Sequence, residues 1–138
     1  MVPAAPFLLV LFLALGAHCL ATELVPSRCN LSGNWKNDLG SNMTISQVNE
    51  KGDFFGIYYT AVSSTTKKIE PSPLLGSQKL PYQLYQPTFG FTVHWTFAES
   101  ITVFTGQCFV DNDGKEILKT MWLLRSHVKK YEDDWEAT

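Results

Sequence analysis

From Phe89 to Cys108 the chain reads FGFTVHWTFAESITVFTGQC. Phe89, Phe91, Val93, Trp95 and Phe97 occupy every second position, with Thr92, His94 and Thr96 between them, which is the period of a strand with one face buried. Ile101 to Val110 is again β-branched and aromatic, and Glu99-Ser100 marks the reversal, so the segment predicts a hairpin with an aromatic wall. A strand face with Phe89, Phe91, Phe97 and Trp95 carries more ring area than a thin sandwich layer needs. It implies an interior wide enough for flat side chains or a flat ligand.

The rest of the chain reads as short strands separated by turn signals. Leu31 to Asp38 ends at Leu39-Gly40-Ser41-Asn42. Met43 to Val48 meets Phe54 to Val62 across the polar loop Asn49 to Asp53, and Ser63 to Lys68 follows as a flexible loop. Pro71, Pro73 and Pro81 mark the next stretch, around Leu74 to Lys79, as an irregular or edge strand. Asp111-Asn112-Asp113-Gly114 turns the chain into Lys115 to Arg125. The tetrapeptide looks like the start of a calcium loop, but the closing acidic residue is missing and its place between strands predicts a hairpin turn. The tail from Ser126 is polar and carries Trp135. Seven antiparallel strands of this kind predict an up-and-down barrel or a sandwich.

At the other end of the chain, an uncharged apolar run from Phe7 to Leu15 precedes the small-x-small triplet Cys19-Leu20-Ala21. At roughly 9 to 12 apolar residues it is shorter than a spanning helix requires, and it predicts a signal peptide over residues 1–21, with one domain over 22–138. The mature chain is therefore expected to be secreted and extracellular, keeping two cysteines, Cys29 and Cys108. An even pair in an oxidising compartment predicts one disulfide. A metal site is disfavoured, because His94 and His127 lie far from any cysteine spacing that zinc uses. A net charge of −2 gives no reason to expect nucleic acid or an anionic membrane as partner.

Parity places Trp35, Asn37 and Leu39 on one face of the first strand, and Phe54, Gly56, Tyr58, Thr60 and Val62 on one face of the third. Each strand thus has an apolar end and a polar end toward the same interior. Burying Asn37, Tyr58 or Thr60 unpaired would cost about 1 to 3 kcal/mol each. Either they bond one another or ordered water, or they bind the polar head of a small amphiphile walled by Trp95, Phe97, Phe104 and Trp122. A lipid-carrying barrel of lipocalin type would have an apolar bore throughout, which the inward polar groups count against. An enzyme is a poorer reading. His94 points outward, His127 lies in a polar loop, Glu132-Asp133-Asp134 reads as a solvated face, and no G-x-S-x-G elbow occurs. A purely structural secreted protein stays open.

Four segments in order, CNLSGNWKNDLGSNMTI from Cys29, QPTFGFTVHW from Gln86, TVFTGQCF from Thr102 and KTMWLLRS from Lys119, closely resemble the avidin family of biotin-binding proteins. The resemblance implies an antiparallel β-barrel of the streptavidin type that holds biotin without catalysis or a cofactor, normally as a homotetramer. It implies that Asn37, Ser41 and Tyr58 surround the ureido oxygen, that Thr60 accepts from a ureido N–H, and that Thr102 lies near the ring sulfur. Trp95, Phe97, Phe104 and Trp122 become the apolar box, with Leu39, Val62 and Leu124 around it. Ser63 to Thr65 closes over the valeryl tail, whose carboxylate bonds Ser64, Thr65 and Ser100. Trp135 reaches a neighbouring subunit's site.

Asn42-Met43-Thr44 matches the family's glycosylation sequon. A second, Asn30-Leu31-Ser32, sits beside Cys29 at a strand start, which argues against its use. Ala98 stands where the family has a serine that helps bind the tail carboxylate, a loss of roughly 1.5 to 3 kcal/mol. The family also implies an eighth strand that closes the barrel and builds much of the subunit interface. With the chain ending at Thr138, the expectation is an open barrel from an incomplete sequence, or a variant with weak or no biotin binding.

Overall fold

The structure, a computed structural model, describes residues 28–79 and 85–138; residues 1–21, expected from the sequence to be a signal peptide, lie outside them, as does Pro81. Seven strands follow one another: β1 (Gly33–Lys36), β2 (Asn42–Ile45), β3 (Asp53–Tyr59), β4 (Ser72–Gln78), β5 (Thr88–His94), β6 (Ser100–Val110) and β7 (Glu116–Ser126). Each pairs antiparallel with the next, in the order β1 to β7, and the sheet curls into a half-barrel. Hence every connection is a hairpin.

Alternation decides the two faces. One register row runs Ile45, Gly56, Leu74, Val93, Thr102, Leu124, and the row beside it runs Phe54, Gly76, Phe91, Phe104, Trp122. These residues face the interior, where Phe54 and Val93 are fully buried. The intervening row of Phe55, Leu75, Thr92, Val103 and Leu123 faces outward, and its four apolar members are exposed. Gly76 is what lets the inner rings cross the sheet. A Cβ there would stand 2.5 Å from the Phe91 Cβ and 2.6 Å from the Phe54 ring.

Three expectations change in detail. β4 is not an edge strand, since it pairs with both β3 and β5. Pro73 is tolerated because it lies opposite Ile57 of β3 but ahead of Leu74, the first residue paired to β5. Pairing of β5 stops at His94, yet the alternation continues, and Trp95 and Phe97 stay buried inside the turn that follows. The polar tail folds as a 3-10 helix, Tyr131–Glu136. Arg125 pairs with Asp134, and the Ser126 N–H donates to the Ala137 carbonyl, so the helix is fastened to the end of β7.

The end of the half-barrel away from that helix is closed by the chain's start. Cys29 and Cys108 form the disulfide, both buried. The Cys29 N–H donates to the Tyr85 carbonyl, and the Glu116 carboxylate accepts the Asn30 N–H at 2.8 Å. Asp111 Oδ1 accepts from the N–H groups of Asp113 and Lys115, and Gly114 supplies φ 79°. The aspartate is thus committed to the hairpin turn that the sequence predicts.

Candidate functional site

An aromatic series runs along the interior from this closed end to the opposite mouth. Phe89 stacks on Phe91, Phe91 on Phe104 at 4.7 Å between centroids, and Phe104 on Tyr58. Tyr58 then meets Trp95 edge-on at 5.6 Å, and Trp95 lies against Phe97. Stacked and edge-to-face pairs at these separations are the favourable arrangements of ring quadrupoles, so the wall is continuous and well packed.

At Tyr58 the wall meets a hydrogen-bonded cluster built by the β1–β2 turn and the end of β3. Asn37 Oδ1 accepts the N–H groups of Leu39 at 3.1 Å and Ser41 at 2.9 Å. That pattern fixes the amide, since only oxygen can accept twice, and it leaves Nδ2 as the outer, donating end. The buried Ser41 Oγ accepts the Ala61 N–H at 2.9 Å and is bonded to the Tyr58 hydroxyl. Burial pushes the Tyr58 phenol above its ordinary range, and the Ser41 hydrogen bond offsets that only in part. Tyr58 therefore stays protonated, and so a donor, at neutral pH.

Two further hydroxyls have defined roles. Thr102 Oγ1, 2% exposed, accepts the Trp95 indole N–H at 2.8 Å and keeps its own proton for a group in the interior. Thr60 Oγ1 donates to the Val62 carbonyl at 2.8 Å and accepts the Val62 N–H at 3.3 Å. With its proton committed, Thr60 can only accept from anything else. Among the described residues no buried side-chain nitrogen or oxygen lacks a partner. The polar cluster is therefore satisfied as it stands, and it keeps donors to spare on one side and an acceptor on the other.

Asn37, Ser41, Tyr58, Trp95, Phe97, Thr102 and Phe104 are thus joined by direct contacts. Trp122 and Leu124 extend the wall on β7, opposite Phe104 and Thr102 in register. Trp122 remains 63% exposed on this outer strand, and Leu124 is half-buried. Leu39 at 65% and Val62 at 55% flank the mouth rather than line a closed box. Ser63 and Ser64 are exposed and Thr65 half-buried in the β3–β4 loop. Its foot is held where Ser72, fully buried, accepts the Thr96 N–H through Oγ. Ser100 opens β6 at the same end, and Trp135 is 78% exposed on the 3-10 helix. The clasp of Ser72 and Thr96 escaped the sequence reading; a serine beside two prolines gave no signal beyond "turn".

Comparison with known proteins bears on this constellation directly. The avidin family model matches residues 25–138. The chain belongs to the avidin family. It is 57% identical to avidin of Gallus gallus over 134 residues, which is 97% of this chain and 87% of that protein. A solved structure, "X-ray structure of biotin binding protein from chicken", superposes with a TM-score of 0.77 at 56% identity, covering 80% of this chain and 90% of that one. The crystal structure of Xenavidin gives a TM-score of 0.75 at 55% identity, covering 80% and 91%. Avidin-family proteins bind biotin, catalyse no reaction on it and need no cofactor.

Proposed function

We propose that this avidin-family chain is a secreted protein that binds biotin tightly and holds it unchanged in its half-barrel. The observation that carries the reading is the hydrogen-bond polarity of the mouth. Asn37 Nδ2 and the hydrogen-bonded hydroxyl pair of Ser41 and Tyr58, which keeps one O–H beyond the bond between them, offer donors, while Thr60, its proton committed to Val62, offers only an acceptor. A cyclic urea presents the complement, an oxygen flanked by N–H groups.

On this reading the ureido oxygen sits among Asn37, Ser41 and Tyr58, which polarise it as an oxyanion hole would, without a reaction to follow. Thr60 takes one ureido N–H, and the Thr102 hydroxyl faces the ring sulfur. Trp95, Phe97, Phe104 and Trp122 cover the bicycle, with Leu39, Val62 and Leu124 at its margin. The loop at Ser63 folds over the tail, so that Ser64, Thr65 and Ser100 bond its carboxylate. Because the cluster and wall are ordered before the ligand arrives, little ordering cost is left to binding, which favours high affinity.

Assembly and location belong to the same reading. The outward stripe exposes Phe55 at 61%, Leu75 at 54%, Val103 at 48% and Leu123 at 63%, and a recess of about 670 Å³ lies along it. An apolar surface of this kind suits packing against further copies, supporting a homotetramer in which Trp135 serves a neighbour's site. The apolar run at residues 7–15 and the disulfide support secretion. Asn42, exposed at the start of β2, is the expected glycan acceptor.

The test is a titration of the secreted protein with biotin, following tryptophan fluorescence, with native mass spectrometry of the product. Quenching that ends at one biotin per chain, on a tetramer, is the expected result. No quenching and no rise in thermal midpoint at excess biotin would overturn the function. Saturation by a fatty acid that biotin cannot displace would instead point to a lipid carrier.

A further inference from the structure

We propose that Asn30 is a second N-glycan acceptor, placed at the closed end of the half-barrel, away from the ligand mouth. Asn30-Leu31-Ser32 meets the acceptor pattern, with no proline in the middle. The objection from sequence is that it sits at a strand start beside a cysteine. β1 begins only at Gly33, so Asn30 lies outside the ladder, and its side chain is exposed.

Local bonding turns the reactive atom outward. Asn30 Oδ1 accepts the Ser32 N–H at 3.0 Å, which leaves Nδ2 on the far side of the amide, without a hydrogen-bond partner among the described residues. The backbone beneath is held by Glu116, which accepts the Asn30 N–H, and by the disulfide at Cys29. A sugar on Nδ2 therefore projects into solvent from a fixed stem and displaces none of these contacts.

The neighbouring cysteine does not block the modification in time. Its partner Cys108 lies 79 positions later, so the bridge cannot close while the sequon first emerges during synthesis. A transferase acting on the growing chain meets Asn30 unfolded. The donor is an oligosaccharide linked to a lipid diphosphate. The bond from Asn30 Nδ2 to the anomeric carbon forms as the bond from that carbon to the diphosphate oxygen breaks; the lipid diphosphate leaves, and the amide proton goes to solvent. Asn42, where β2 leaves the β1–β2 turn, stands at the opposite end of the fold. The two glycans would shield different ends.

The inference rests on the secretion reading, and the experiment separates the two. The full chain is expressed in secreting eukaryotic cells, and protein from the medium is treated with peptide-N-glycosidase in H₂¹⁸O before peptide mass analysis. Conversion of Asn30 to ¹⁸O-labelled Asp is expected, as is loss of one glycan from the intact mass of Asn30→Gln. Because Asn30→Gln also alters the Ser32 turn, Ser32→Ala and Ser32→Thr are compared: the first removes the same glycan and the second keeps it. Protein in the medium that carries a glycan at Asn42 and an unmodified Asn30 overturns the proposal alone. Protein confined to the cytosol, with both sites bare, overturns the secretion reading and this proposal with it.

Discussion

The closed end of the half-barrel and its mouth share one wall of stacked rings, yet they use it in opposite ways. At the closed end Phe54, Phe89 and Phe91 fill the space completely, Gly76 gives up its side chain so that two rings can pass, and a disulfide seals the chain's start to β6. At the mouth the rings of Tyr58, Trp95 and Phe97 meet the hydrogen-bonded cluster of Asn37 and Ser41, and hydroxyl and amide groups take over. One end uses its side chains on each other. The other keeps part of their bonding capacity for something outside the chain. Stability should therefore be concentrated at the first end and affinity at the second, and substitutions can pull them apart.

The largest expected effect is at the closed end. Phe54→Ala removes a fully buried ring from the crossing at Gly76 and should cost about 3 to 5 kcal/mol of unfolding free energy. Denaturant titration of the ligand-free protein measures it, and the fraction still folded should bind biotin with unchanged affinity. Replacing Cys29 and Cys108 together by serine should cost roughly 2 to 4 kcal/mol, again with the mouth unaffected. A large change in biotin dissociation rate in either variant would show that the two ends are coupled, and the division drawn here would fail.

The closed end was also the part most legible in sequence. Alternation at Phe89, Phe91 and Val93 named the buried face correctly, and two cysteines in the mature chain left one simple pairing. Parity also put Tyr58 inside, while Thr102 was placed there by the avidin resemblance. What parity did not reach was the hydrogen-bonding polarity around those groups. Asn37 donates outward only because its oxygen is bound to the backbone N–H groups of its own turn, and Thr60 accepts only because Val62 takes its proton. Such polarity arises from backbone geometry in turns, which carries no residue pattern of its own. Proline at Pro73 misled for a related reason. It forbids a hydrogen bond on one side at one position, and the structure places that position where pairing to β5 has not begun.

At the mouth the complementary experiment is Tyr58→Phe. The ring keeps its contacts with Phe104 and Trp95, so unfolding free energy should move by less than about 1 kcal/mol, while the donor proposed for the ureido oxygen disappears. Biotin should then dissociate roughly 10 to 100 times faster, as expected for about 1.5 to 3 kcal/mol of binding. Stopped-flow displacement by an excess of labelled biotin measures the rate. An equal loss of stability would mean that the hydroxyl serves the fold and not the ligand.

The smallest effect is the most specific to the assignment of Tyr58 as a donor. Burial raises its phenol above the ordinary value of 10.0, so folding favours the protonated form. Its contribution to stability is therefore complete below that ordinary value and is lost only as pH rises through the raised value of the folded state. Ligand binding follows the same direction. A phenolate cannot donate to the ureido oxygen and would repel it, whereas bound biotin, by accepting from the phenol, holds the proton on. The dissociation rate of the natural chain should thus stay flat from neutral pH up to the ordinary tyrosine range and rise only above it. Tyr58→Phe removes this rise while leaving every other titrating group in place, so the difference between the two profiles belongs to one hydroxyl. If both chains lost biotin in parallel at high pH, general loosening of the fold would be the cause, and the mouth would owe its affinity to the aromatic wall more than to its donors.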